Sequence, residues 1–175
     1  DLGRPGGLKT LGGAAKPVPA YAGGISLGYQ APDSLVAQAV PMVEMGYREL
    51  KLRIGDTVAA DIARMTAIRR RFGDDIAILT DANTGYSVAD VRRVMPAMDE
   101  LNIGWLEEPL SQDDLDGYVW LRDRSPVPIA AGEGECGRWA YEPWIRRHAL
   151  DIYQVDLGRN GFTDGQVIRR QVEDA

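Results

Sequence analysis

The chain has 175 residues, of which 45% are hydrophobic and 26% are charged, and its 20 basic and 26 acidic residues give a net charge of −6. This length allows one domain with a sizeable core, and the acidic balance argues against nucleic acid or an anionic membrane surface as a partner. No segment approaches the roughly 18 apolar residues of a membrane span, and a single cysteine, Cys136, excludes an internal disulfide and fits a reducing compartment. We therefore expect a cytoplasmic globular protein.

The chain begins with a glycine-rich stretch and continues as a repeating unit. Residues 1–16 contain two Gly-Gly pairs and are predicted to be a connecting arm. From residue 17 to residue 175, short apolar or β-branched runs alternate with helix-like stretches, which predicts one domain. The runs predict six strands, at 17–25, 47–54, 76–83, 102–109, 127–133 and 151–158.

Two of the intervening stretches have clear helical signals. In 57–73, apolar residues recur every three or four positions and a glycine marks the end. In 87–101, Ser87 is a suitable N-cap, Asp90 stands at the capping-box position, and Pro96 is expected to kink or break the helix. The alternation of strands and helices predicts βαβ units and a parallel sheet.

The sheet is predicted to be either a barrel or an open doubly wound sheet. Neither G-x-G-x-x-G after the first strand nor G-x-x-x-x-G-K-[ST] occurs, although phosphate loops of this kind would favour the open sheet. Asp81, Glu107 and Glu133 each end a predicted strand, at intervals of 26 residues. Because the carboxyl ends of barrel strands face one shared site, these acids are expected to converge there. We therefore predict an α/β fold of the TIM-barrel type with about six β/α units.

Three carboxylates at one site repel each other unless a cation lies among them. Ligation by oxygen alone, without histidine or cysteine, indicates a hard ion, and we expect Mg²⁺. The alternative is that each acid is a helix N-cap or a solvated loop charge.

Two cations are predicted beside the carboxylates. Lys51 and Arg53 lie two residues apart in the predicted strand that precedes the one ending in Asp81, so both face the site. This arrangement suits a negatively charged substrate or intermediate. The alternative is a pair of exposed strand cations.

In combination, the motifs "KLR", "TDANTGYS", "WLEEPL", "AAGEGE" and "DIYQVDLGRNGF" resemble the enolase superfamily, in its mandelate racemase and muconate lactonizing branch. The resemblance implies a modified TIM barrel that binds Mg²⁺ and abstracts the proton α to the carboxylate of a small-molecule substrate, giving an enediolate that the metal stabilises. The implied metal ligands are Asp81, Glu107 and Glu133, with Glu108 beside them but not bound to the metal. A homo-oligomer is expected of the parent protein.

The resemblance also implies roles for other residues. Asp156 matches the position whose carboxylate orients a catalytic histidine on the seventh strand, which is expected beyond this chain, as is the capping domain that precedes the arm. Asn83 is expected to contact the substrate or a metal-bound water. His148 is interpreted as structural, because it is predicted at the side of the barrel opposite the site.

Arg53 departs from the family pattern, which commonly has a basic lysine at this position. Arginine has a pKa above 12 and is a poor proton acceptor. Racemisation needs an acid and a base on opposite faces of the α-carbon, whereas dehydration can use one base. Sugar-acid dehydration is therefore the predicted function, with racemisation or epimerisation second. A catalytically inactive barrel fragment or binding module, and an α/β phosphosugar enzyme, remain as alternatives.

Overall fold

The computed structural model describes residues 17–23 and 27–175, so the predicted arm, 1–16, lies outside the described residues. The described residues form six α-helices and five β-strands that alternate along the chain, which confirms the α/β class. In chain order they are α1 (Pro32–Glu44), β1 (Glu49–Arg53), α2 (Val58–Phe72), β2 (Ala77–Asp81), α3 (Val88–Glu100), β3 (Ile103–Glu107), α4 (Leu115–Arg122), β4 (Ile129–Ala131), α5 (Arg138–Arg146), β5 (Ile152–Tyr153) and α6 (Leu157–Glu173).

The strands form one parallel sheet in the order β1-β2-β3-β4-β5, so each strand lies beside the next one in the chain. This is the strand order of a β/α barrel. Over the described residues the sheet does not close and forms part of such a barrel. Five of the six predicted strands are present, and the first prediction, 17–25, falls in part on residues outside the described ranges. Of the predicted strand 17–25, the described residues supply one parallel bridge, from Ala22 to Leu50.

The last two strands are shorter than predicted. β4 ends at Ala131 because Gly132 has a φ of +117°, which takes the chain out of the extended conformation. β5 has two residues, and the chain then turns into α6, whose N-cap is Asp156. Each of these ends is therefore set by a backbone turn that comes before the end of the apolar run.

The helices begin where local side chains cap them. The Thr57 side chain accepts a hydrogen bond from the backbone N–H of Ala60 at the start of α2, and Ser87 and Asp90 form the predicted capping box of α3. The helix α3 continues through Pro96, so the predicted break there is wrong. No helix within the described ranges has the length and hydropathy needed to cross a membrane.

The core lies between the sheet and the helices. In β1, Leu50 and Leu52 are buried and alternate with the half-buried Lys51 and Arg53. Leucine side chains of β1 belong to the same apolar cluster as Met65 of α2. Because neighbouring side chains of a strand point to opposite faces, Lys51 and Arg53 lie on the face of the sheet away from that cluster.

Candidate active site

The site begins with three strand ends in register. Arg53 at the end of β1 pairs with Asp81 at the end of β2, which pairs with Glu107 at the end of β3. Asp81 is 2% exposed and Glu107 is fully buried. Parallel pairing has therefore brought a cation and two carboxylates to one edge of the sheet.

Lys51 joins the two buried carboxylates. Its Nζ lies 3.0 and 3.1 Å from the two carboxylate oxygens of Glu107 and 3.2 Å from Asp81 Oδ2. Burial alone would lower the pKa of Lys51, but the charges of Glu107 and Asp81 outweigh it and raise the pKa above the ordinary value of 10.5. The two carboxylates thus favour the protonated form of Lys51 in this arrangement.

Arg53 links Asp81 to Asn83. Its Nη1 donates to Asp81 Oδ2 at 2.7 Å and to Asn83 Oδ1 at 2.9 Å. The backbone N–H of Asn83 donates to Asp81 Oδ1 at 2.9 Å, and Asn83 has a left-handed φ of +45°. The predicted pair of cations is therefore engaged with the carboxylates, which argues against the alternative of exposed strand cations.

Trp105 also holds Glu107 and was missed in the sequence analysis. Its indole N–H donates to Glu107 Oε2 at 3.2 Å, and its ring lies edge-on to Tyr21 with centroids 5.7 Å apart. Because side chains two residues apart in a strand share a face, the spacing of Trp105 and Glu107 in "GWLEEPL" is the signal that could have found it.

Glu133 does not end a strand, and Asp156 does not lie within one as the predicted strand 151–158 would have it, so these parts of the prediction were wrong. Glu133 lies two residues beyond β4 and is exposed, and Asp156 lies three residues beyond β5. Asp156 Oδ1 accepts the N–H of Gly158 at 2.7 Å, as a helix N-cap does. Both acids nevertheless line one cavity of about 350 Å³, together with Asn83 and Glu108.

Glu108 occupies an unusual environment. It is 4% exposed, its φ is +40°, and its Oε1 is buried without a hydrogen-bond partner. Burial, followed by the charges of Glu133, Asp81 and Glu107, raises the pKa of Glu108 to about 7. The three predicted metal ligands therefore all disfavour the charged form of Glu108.

The donors at this edge suit a hard cation, because they are carboxylate oxygens that repel one another and one buried oxygen lacks a partner. Within residues 17–23 and 27–175, however, no three acidic, histidine or cysteine side chains are already grouped in a metal-holding arrangement. Instead, Lys51 and Arg53 neutralise Asp81 and Glu107.

His148 lies away from this edge. It follows α5 and comes before β5, where it lines a separate cavity with Arg122 and Asp151. Since the acids stand at the carboxyl ends of the parallel strands, His148 lies at the opposite end of the sheet. This position agrees with its interpretation as structural.

Comparisons with known proteins agree with this fold. The family profile described as "Enolase C-terminal domain-like" matches residues 34–175. The structure of an enolase superfamily member from Polaromonas sp. JS666 superposes with a TM-score of 0.90 at 43% identity, covering 95% of this chain and 45% of that one. The L-talarate dehydratase from the same organism, solved with Mg and L-glucarate, has a TM-score of 0.87 at 30% identity and the match covers 95% of this chain and 47% of that one.

Curated relatives have several activities. The arabinonate dehydratase of Saccharolobus solfataricus is 34% identical over 154 residues, which cover 85% of this chain and 40% of that protein. Other matched proteins are named as racemases and epimerases. The chain thus spans less than half the length of the relatives described here. It belongs to the enolase superfamily, in the branch of mandelate racemase and muconate lactonizing enzyme.

Proposed function

We propose that the protein containing this chain removes the proton α to the carboxylate of a small sugar acid and then eliminates water. The observation that carries the proposal is the cluster at the ends of β1, β2 and β3, where Lys51 and Arg53 contact the buried Asp81 and Glu107. Fixed positive charges in a site of low exposure stabilise negative charge that develops on a substrate.

We propose Asp81, Glu107 and Glu133 as ligands for Mg²⁺. Support comes from their oxygen chemistry, from the repulsion that they exert on Glu108, and from the magnesium in the related L-talarate dehydratase structure. When bound, the ion supplies positive charge to the substrate carboxylate and so makes the α-proton more acidic.

We propose the following roles for the other residues of the site. Lys51, held protonated by its carboxylate neighbours, and Arg53 provide positive charge beside the reacting carbon. Asn83 lines two cavities at this edge, and we propose that it contacts the substrate. We propose that Asp156, which lines the second of these cavities, orients a histidine supplied by another part of the protein.

The choice of dehydration over racemisation depends on Arg53. Arg53 donates to Asp81 and Asn83, and a guanidinium group is a poor base because it hardly deprotonates near neutral pH. Racemisation needs proton transfer on both faces of the α-carbon, whereas dehydration needs one base that can later protonate the leaving hydroxyl. The second candidate is a racemase or epimerase, which the names of other relatives favour.

The test uses the complete protein with Mg²⁺ and a panel of arabinonate, galactarate and talarate in D₂O, followed by NMR. We expect a 2-oxo-3-deoxy product and its loss in Glu107→Gln, whereas Glu100→Gln, an exposed change in α3, serves as the matched control. Deuterium exchange with inversion and without elimination would favour the epimerase. Binding of Mg²⁺ and acid with no exchange at all would favour a non-catalytic binding module.

A further inference from the structure

A second cavity lies beside Arg53. Its volume is about 640 Å³, and it is lined by Gly28, Tyr29, Gln30, Arg53 and Asn83. Residues 28–30 form one wall of it, and α1 begins two residues later, at Pro32. This wall has no regular strand or helix hydrogen bonding of its own in the structure, so other groups must hold it in place.

Arg64, on α2, supplies those bonds. Its Nε donates to the carbonyl of Gln30 at 3.0 Å and its Nη2 donates to the carbonyl of Tyr29 at 2.9 Å. Its guanidinium also stacks 5.6 Å from the centre of the Tyr29 ring. The hydroxyl of Tyr29 donates to the carbonyl of Ile54, next to Arg53. The side chain of Gln30 donates to Gln38 of α1, so Arg64 holds the wall together with these two contacts.

Asp61 in turn fixes Arg64. Asp61 is fully buried, and its Oδ1 accepts from Arg64 Nη1 at 2.7 Å. Its Oδ2 accepts from the N–H groups of Gly55 and Asp56 and from the hydroxyl of Tyr86. A buried ion pair with this many hydrogen bonds is rigid, because the guanidinium fork allows little freedom of orientation.

We propose that Arg64, held by Asp61, is a positioning residue that keeps residues 28–30 against the cavity beside Arg53 and thereby governs binding of the part of the substrate that enters this cavity. The proposal rests on the proposed function of the same site. It concerns a buried network that takes no part in proton transfer, so its loss should affect binding more than turnover.

The first test is hydrogen exchange, which needs no substrate. Arg64→Met alone leaves the Asp61 carboxylate buried without its cation, so the decisive variant is Asp61→Asn with Arg64→Met. We expect the amides of residues 28–31 to exchange at least tenfold faster while those of β2 stay unchanged. Tyr86→Phe, which removes a bond to Asp61 but none to the wall, should behave like the wild type. Equal acceleration throughout the chain, or none at 28–31, would overturn the proposal.

The second test separates binding from turnover in the complete protein, using the sugar acid that it converts in the panel described above. The double variant should raise KM at least fivefold with kcat within twofold of the wild type, and Arg64→Lys with native Asp61 should recover part of the loss. A fall in kcat with unchanged KM, or the same KM rise in Tyr86→Phe, would contradict the assignment. If the wild type converts no acid of the panel, the proposed dehydration fails, while hydrogen exchange still decides whether Arg64 holds the wall.

Discussion

Glu108 provides the most specific prediction, because burial and the neighbouring carboxylates disfavour its charged form. In the metal-free protein, Glu108→Gln removes a buried carboxylate whose pKa is raised from 4.5 to about 7. At about 1.4 kcal/mol for each pKa unit, this difference corresponds to about 3 kcal/mol of unfolding free energy. Because neighbouring carboxylates can relax apart, that figure is an upper value.

The sign of the effect follows from proton linkage. Below pH 4.5 Glu108 is protonated in both the folded and the unfolded state, so its charge costs nothing. Between pH 4.5 and about 7 the unfolded state loses its proton first, and the folded wild type loses stability. Above pH 7 Glu108 is charged in both states, and the loss of stability of the folded wild type has reached its full size. Glutamine does not ionise, so the unfolding free energy of the variant should rise relative to that of the wild type as the pH increases.

The assay is urea unfolding in EDTA from pH 4 to pH 8, followed by the fluorescence of the four tryptophans. The free energies of variant and wild type should converge at pH 4 and separate in favour of the variant by pH 8. Saturating Mg²⁺ should narrow the gap, since a cation offsets the repulsion. Glu100→Gln, an exposed change, should show no such trend. A Glu108→Gln variant that is less stable at pH 8, or equally shifted at every pH, would refute the reasoning.

Three further predictions address the metal, the base and the fold. Glu133→Gln, an exposed change, should weaken Mg²⁺ binding at least tenfold in calorimetry without loss of stability, and unchanged affinity would remove Glu133 from the ligand set. Arg53→Lys should introduce a second base, because the positive charges of Lys51 and of a bound Mg²⁺ would lower the pKa of a lysine at this position, so NMR should detect deuterium incorporation with inversion. If the parent already racemises its substrate efficiently, the argument from arginine fails. Ser87→Ala should lower the unfolding free energy by about 0.5–2 kcal/mol through loss of the α3 cap, and Ser87→Asp should keep most of it.

Helix positions were predictable because their signals are local. The helix predicted at 57–73 is α2, Val58–Phe72, and the one predicted at 87–101 is α3, Val88–Glu100. In each case the N-cap side chain bonds to a backbone N–H three residues on. Such bonds form within one turn, so a single stretch of sequence determines them.

The lengths of β4 and β5 were not predictable in this way. Strands end where pairing stops, and here the φ of Gly132 and the cap made by Asp156 stop it. Glu133 and Asp156 therefore stand on loops, although the 26-residue spacing of Glu133 from Glu107 suggested a strand end. The metal and catalytic roles of these residues, the homo-oligomer and the cytoplasmic location stay predictions.

By itself, the sequence determined the α/β alternation, the family and the placement of Lys51 and Arg53 on the face of the strand that points into the site, because strand periodicity puts these two side chains on one face. Only the tertiary structure decided that Glu108 turns into the acidic cluster through a left-handed backbone. It also decided that Asp61 and Arg64 meet Tyr86 and the wall at 28–30. Those contacts join segments 25 to 35 residues apart. Local periodicity does not predict them, because they depend on how the helices pack against the sheet.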